Sequence, residues 1–317
     1  MSELCAVRKF LDKDPAVSNY LEKIGIPGRD AYELQTSEKR FSDGAQYRLE
    51  VPGIQSPETA KAVMEAAKNF SVTINRITET RGIFRLTDNE IEQMVEIAKE
   101  ARAELVLSHG PRAMYDTSAQ YAVGGSEAGR IGYRLRGADQ LVRAIADVKR
   151  ATDMGCRGIL VYDEGLLWVL NNMRKDEILP KSTKLKVSAH CGHGNPASIR
   201  VLADLGADSV NPVRDLQHPM IAAIRRATDI ALDIHVDNPK STGGFIRTYE
   251  APEFVRIGSP LYLKCGASVF GTHAWPTSTR EAVEVAKQCS LVQRMIERYY
   301  PEAAQSRPGS KGLAVPE

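Results

Sequence analysis

The chain of 317 residues and 34.9 kDa carries 43% hydrophobic and 26% charged residues, which suits one large α/β domain or two smaller ones. With 42 Lys plus Arg against 40 Asp plus Glu and no basic run interleaved with aromatics, a nucleic-acid or membrane surface is excluded as a partner, and a small anionic molecule is the expected ligand. The opening MSELCAVRKFLDKDP lacks the apolar stretch of a secretion signal, and no segment approaches the length of about eighteen apolar residues of a membrane span, so a cytoplasmic location is expected.

Residues 1–45 read as one or two helices around DPAVSNYLEKIG plus a turn, an extension expected to cover the N-terminal end of the main domain. From there, short runs rich in Val, Ile and Leu alternate with helical patterns. The strand candidates are YRLEV (47–51), VTINRIT (72–78), ELVLSH (104–109), GILVY (158–162), LKVSAH (185–190), DSVNP (208–212), IALDIHV (230–236) and LYLKCG (261–266). Helices between them carry start signals: Ser56 before Pro57 and Glu58, the capping box of TDNE (87–90), Asn195 before Pro196, and STRE (278–281) ahead of a long last helix. In ATDMGCRGILV (151–161) and LADLGADSVNP (202–212) a helix stops at a Gly and a strand starts three or four residues on, a weak internal repeat of the αβ unit. Eight such units predict a single (β/α)8 TIM barrel over 46–300, with a tail at 301–317 that is expected to be mobile. The alternative is an open doubly wound sheet, which ordinarily carries GxGxxG after an early strand; this chain lacks it.

Cys5, Cys156, Cys191, Cys265 and Cys289 are scattered and never in CxxC spacing, so they read as free thiols. In a barrel the active site lies at the C-terminal ends of the strands, and all six histidines fall there: His109, His190, His193, His218, His235 and His273. Alternate strand residues face the interior. In DIHVDNP (233–239), if Leu232, Ile234 and Val236 pack on the helices, Asp233 and His235 point inward. The same parity places Arg48, Glu50, Thr73, Asn75, Ser188, His190, Tyr262 and Lys264 inside. Closure sets strand eight between strands seven and one, so Lys264 is expected between Asp233 and Glu50. Buried charges need partners, and apolar side chains fill a barrel at less cost, so such an interior points to chemistry.

Three chemistries could use this set. His190 and His235, joined by His193 of the HCGH run and an acid from Asp233, Glu50 or Glu79, could hold a divalent metal ion (Zn, Mn, Fe or Mg) that polarises a carbonyl or activates water. That is the first expectation. Lys264 could form a Schiff base, although the carboxylates beside it favour its charged form. A metal-free site could use His235 or His190 with a carboxylate for acid–base work. Glu50, Lys264, Asp233 and His109 are the expected catalytic groups.

The loops NPKSTGGF (238–245) and GASVFGTH (266–273) place Lys240, Gly243, Gly244 and Ser268 where barrels commonly take an anion. The connection at 110–137 is far longer than usual and carries Arg112, Arg130, Arg134, Arg136, Tyr115, Tyr121 and Tyr133, which suits an arginine-bearing lid or an oligomer contact. Arg48, Asn75, Arg112 and Arg134 complete the expected substrate contacts. The functional expectation is a metal-dependent lyase of aldolase type, or an isomerase, acting on a small anionic oxo or hydroxy acid or a phosphorylated substrate, with a homo-oligomer open. A hydrolase using Cys191, Cys265 or metal-bound water is the alternative, alongside a non-catalytic binding barrel.

The run GADSVNPVRDLQHPMIAAIRRATDIALDIHVDN through STGGFIRTYEAPEFVRIGSPLYLKCG resembles the barrel of the collagenase-like peptidase family, in which a GAD strand, a short helix and a further strand are arranged similarly. The likeness covers about a third of the chain. Members of that family often carry a cysteine cluster, some with an iron–sulfur centre; this sequence has no matching cluster, so no functional residue is carried over.

Overall fold

A computed structural model describes residues 15–112, 132–271 and 276–317. Eight parallel strands close into one barrel in chain order: β1 (Tyr47–Pro52), β2 (Arg76–Thr78), β3 (Glu104–Ser108), β4 (Gly158–Val161), β5 (Lys184–Val187), β6 (Ser209–Val210), β7 (Ala231–His235) and β8 (Leu261–Lys264). Helix α1 (Pro15–Lys23) precedes the barrel. Around it lie α2 (Pro57–Asn69), α3 (Asp88–Glu100), α4 (Gly137–Asp153), α5 (Glu164–Lys175), α6 (Pro196–Asp204), α7 (His218–Ala227), α8 (Ala251–Gly258) and α9 (Thr279–Tyr299). The chain is a (β/α)8 barrel, and the closure of β8 on β1, with Glu50 beside Lys264, rules out the open sheet. No described helix is long and apolar enough to cross a membrane.

The local signals act as their chemistry requires. Ser56, Thr87, Asn195 and Ser278 each accept from a first-turn N–H in a reciprocal capping box, ahead of α2, α3, α6 and α9. The two Gly stops, Gly155 and Gly206, take φ of 96° and 103°, which a side chain rarely adopts. Outward strand residues such as Leu49, Val51, Leu232, Ile234, Leu261 and Leu263 are buried against the helices in one continuous apolar layer.

Strand β2 departs from the parity expectation. Residues 72–75 are not strand, and Ile74 and Ile77 both join the apolar layer, so the alternation slips by one. Arg76 and Thr78 therefore enter the interior, where they meet Glu50. Asn75, expected at the substrate, sits instead towards the start of the strands: its Oδ1 accepts from Leu49 N–H at 2.9 Å and its Nδ2 donates to the Ser306 carbonyl at 2.9 Å.

The tail, expected to be mobile, is laid across that same N-terminal mouth. Arg48 donates from Nε to Ser306 Oγ at 2.9 Å, and from Nη1 to Tyr262 Oη at 2.7 Å and the Gly312 carbonyl at 3.3 Å. Glu104 Oε1 accepts from Ala314 N–H at 2.8 Å. From the N-terminal extension, Phe41 lies under the Arg48 guanidinium at 3.9 Å. Arg48 is thus a plug residue and not a substrate contact, because an inward charge at a strand's start must find partners at that end. Deleting residues 304–317 should remove the Ser306, Gly312 and Ala314 hydrogen bonds of Arg48, Asn75 and Glu104 and lower stability by roughly 3 kcal/mol or more, read as a fall in the urea midpoint. An unchanged midpoint would show that the segment does not close the mouth.

Candidate active site

The middle of the barrel is a charge network drawn from five strands. Arg76 Nη1 donates to Asp233 Oδ1 at 3.0 Å and to Glu50 Oε2 at 3.3 Å, while its Nε pairs with Glu104. Lys186 pairs with Glu50 and lies 3.2 Å from Asp233 Oδ2. Thr78 and Ser209 hydroxyls donate to Glu50 and Asp233, each at 2.9 Å. Burial alone would raise the Glu50 carboxyl, but Lys186, Lys264 and Arg76 hold it far below the ordinary glutamate range.

Lys264 ends β8 at the upper edge of this network. The register corrects the expectation that it lies between the two acids: Asp233 is level with Tyr262, and the residues level with Lys264 are Glu50 on β1 and His235 on β7. Its Nζ donates to Asn211 Oδ1 at 3.2 Å and lies 3.4 Å from Glu50 Oε1. The carboxylates do not keep it an ordinary ammonium. Burial, aided by Lys186 and Arg214, outweighs Glu50 and Asp233 and brings the amine down to about 8. The geometric reason is that Lys186 and Arg76 already share both acids.

Above Lys264, Arg214 from the loop after β6 bridges two imidazoles. Its Nε donates to His235 Nε2 at 3.3 Å and its Nη2 to His190 Nε2 at 3.1 Å. A guanidinium only donates, so both rings accept on Nε2 and are neutral with the proton on Nδ1. Burial, then the charges of Lys264, Arg214 and Lys186, holds His235 well below the usual histidine range. The His190 ring stacks on Tyr133 with centroids 3.9 Å apart. Tyr133 in turn packs on Tyr162 at 5.1 Å, and Tyr162 on His109 at 5.3 Å. His109 Nε2 accepts from Tyr162 N–H at 3.1 Å, and burial with Arg112 close by takes its pKa to about 3. It is a neutral imidazole throughout the physiological range.

A cleft of about 610 Å³ opens beside this ladder, lined by Arg134, His190, Gly192, Arg214, Gly243 and Phe245, a size that suits a small molecule. Arg134 is held by Glu164 and donates to the Cys191 carbonyl at 3.0 Å. Arg112 is fully buried, donating to the Thr80 carbonyl at 2.8 Å and lying over the Tyr162 ring; it braces the site and does not line the cleft. Lys240 and Gly244 are exposed on the loop after β7. Ser268 is engaged by Asp237. His193 goes to Glu164 at 2.5 Å and His218 to Glu250 at 3.1 Å, so HCGH does not bring two rings together; Gly192, at φ 86°, turns the chain between them. His273, Arg130, Tyr115 and Tyr121 lie outside the described residues, as does the greater part of the expected lid.

The donors expected to bind a metal do not fit one. The Nε2 atoms of His190 and His235 face a fixed cation, and both Asp233 oxygens are taken by Arg76, Lys186 and Ser209. Among the described residues no group of three or more His, Cys, Asp or Glu side chains is placed to hold an ion. Burial pushes Cys191 up to about 12 and Cys265 well above the usual thiol range, which disfavours the thiolate that a cysteine nucleophile needs.

Lys186, Arg76 and Arg214 are the functional-site residues that sequence reasoning missed. Parity carried back two residues from Ser188 points to Lys186. Arg76 is hidden by the slip in β2, and Arg214 is a loop residue with no periodic signal.

No protein-family model matches the sequence, and no curated protein does. Among solved structures the chain is similar to one described as native KDPGal, at 12% identity and a TM-score of 0.48, covering 82% of this chain and 98% of that one. It is similar to the YdjI aldolase from Escherichia coli K12 at 13% identity and 0.44, covering 80% and 90%. A U32 peptidase stands at 16% identity and 0.38, covering 63% and 73%. At these identities the likeness concerns the barrel, and the reading of the site rests on its side chains.

Proposed function

We propose that the chain is a lyase of aldolase type that holds a small anionic oxo acid as an imine on Lys264. The observation that carries this is a buried lysine brought to about 8, level with His235, which Arg214 of the cleft holds. At pH 7 roughly a tenth of such an amine is neutral, against well under a thousandth of an ordinary lysine. The neutral Nζ attacks the carbonyl carbon; the C–O bond then breaks, the oxygen leaves as water with two protons from the nitrogen, and the C=N bond remains. Once protonated, that imine withdraws electrons from the neighbouring carbon, which is what carbon–carbon cleavage or proton exchange requires.

The test is reduction in place. Incubation with pyruvate or a longer 2-oxo acid and sodium borohydride should leave a secondary amine on the Lys264 peptide, seen by mass spectrometry, with a yield that rises as pH climbs towards about 8. An adduct spread over surface lysines, or none with any 2-oxo acid tried, sinks the imine reading.

A further inference from the structure

In the loops where barrels commonly grip phosphate, several of the described N–H groups are already engaged. After β8, Gly266 N–H donates to Asp237 Oδ1 and Ser268 N–H to Asp237 Oδ2, both at 2.8 Å, and the Ser268 hydroxyl joins the second oxygen. Asp237 is 4% exposed. After β7, the Thr242 and Gly244 N–H groups donate to the Pro239 carbonyl at 2.9 and 3.1 Å, and that of Gly243 to the Lys240 carbonyl at 3.4 Å. A carboxylate of the chain itself therefore occupies the cup that a ligand's phosphate would need.

Arg214 shows the opposite imbalance. It is half-buried at the cleft, yet its hydrogen-bond partners are two neutral imidazoles, and it forms no ion pair among the described residues. A cation removed from water without an anion is unfavourable, and the deficit is relieved when an anion arrives. The bonds to His235 and His190 use the Nε hydrogen and one on Nη2. Among the described residues nothing accepts from the other Nη2 hydrogen or the Nη1 pair, and together they form the planar fork that grips a carboxylate in two parallel hydrogen bonds.

We propose that Arg214 anchors the substrate through a carboxylate, and that Asp237, by filling the β8 loop with a carboxylate of its own, excludes phosphate esters. The substrate class is a small 2-oxo carboxylate without phosphate. This deepens the reading of the cleft above Lys264 as the reaction site, but it does not need the imine. The roles are separable: Arg214 selects the anion and Lys264 the carbonyl.

Calorimetric titration with lactate and with inorganic phosphate tests this, because neither probe can form an imine. The wild type should bind lactate at least about tenfold more tightly than phosphate, a difference of about 1.4 kcal/mol. Arg214→Gln should lose most lactate binding, and Arg214→Lys, which keeps charge but not the fork, should weaken it about tenfold even if the glutamine variant fails to fold. Asp237→Ala, with the cup vacated, should gain phosphate binding that Asp237→Asn does not. The proposal is overturned if phosphate binds the wild type as well as lactate, if lactate fails to bind at all, or if its affinity is untouched in Arg214→Lys. Lactate binding without a borohydride adduct would remove the imine and leave the anchor; an adduct indifferent to Arg214 would do the reverse.

Discussion

Glu50→Gln is expected to destabilise the fold by roughly 3 to 5 kcal/mol, the range for a buried ion pair that loses one partner. The carboxylate is fully buried and shared by Lys186, Arg76 and Lys264. An amide of the same shape keeps the Thr78 hydrogen bond but leaves three cations around Asp233 and Glu104. The same residue sets an acid limit. Its pKa is depressed in the folded state, so as pH falls the unfolded chain takes up the proton first. The stability it contributes is complete above about pH 4.3, the ordinary glutamate value, and drains away below it. Urea unfolding at pH 7 and pH 3.5 should therefore show a wide gap between wild type and variant at the higher pH and a narrower one at the lower. A gap of equal size at both, or one under about 1 kcal/mol at pH 7, would mean that the cations find other partners.

These side chains differ in how far the sequence reveals them, and the difference follows from what each depends on. The barrel is legible because caps, helix stops and apolar runs are local: Ser56, Thr87, Asn195 and Ser278 act within one turn of chain. Parity is legible where a strand is regular, which places Glu50, Asp233, His235 and Lys264 inside. It fails at β2, where the non-strand residues 72–75 invert the facing of all later positions in that strand. Register is not local at all. That His235 and not Asp233 is level with Lys264 depends on the stagger of β7 against β8. The contact that occupies two of the expected metal donors comes from a residue without pattern, since Arg214 meets His190 and His235 only once β5, β6 and β7 stand side by side. Nor does the sequence reveal that Asp237, just past β7, engages N–H groups of the β8 loop, because that contact joins two loops that are distant in the chain.

Lys264→Met is expected to abolish the borohydride adduct while leaving the fold at least as stable as the wild type. Bringing a lysine from its ordinary value to about 8 corresponds to a charged form disfavoured by about 3 kcal/mol, and methionine fills similar volume without charge. What is lost is smaller. Glu50 keeps Lys186, Arg76 and Thr78, and the Asn211 oxygen loses its donor at a cost of about 1 kcal/mol. Two residues 3.4 Å apart should therefore give stability changes of opposite sign. The pH dependence comes from the lowered folded pKa: between about 8 and 10.4 the unfolded chain holds more protons than the native state, so wild-type stability rises with pH there. The variant lacks that rise, and its advantage should be greatest below pH 8 and shrink towards pH 10. Urea midpoints at pH 7 and 9.5 read this directly. A variant several kcal/mol weaker than the wild type at pH 7 would make Lys264 a structural member of the charge network, and an adduct that persists in it would move the chemistry to Lys186, the other lysine inside the barrel.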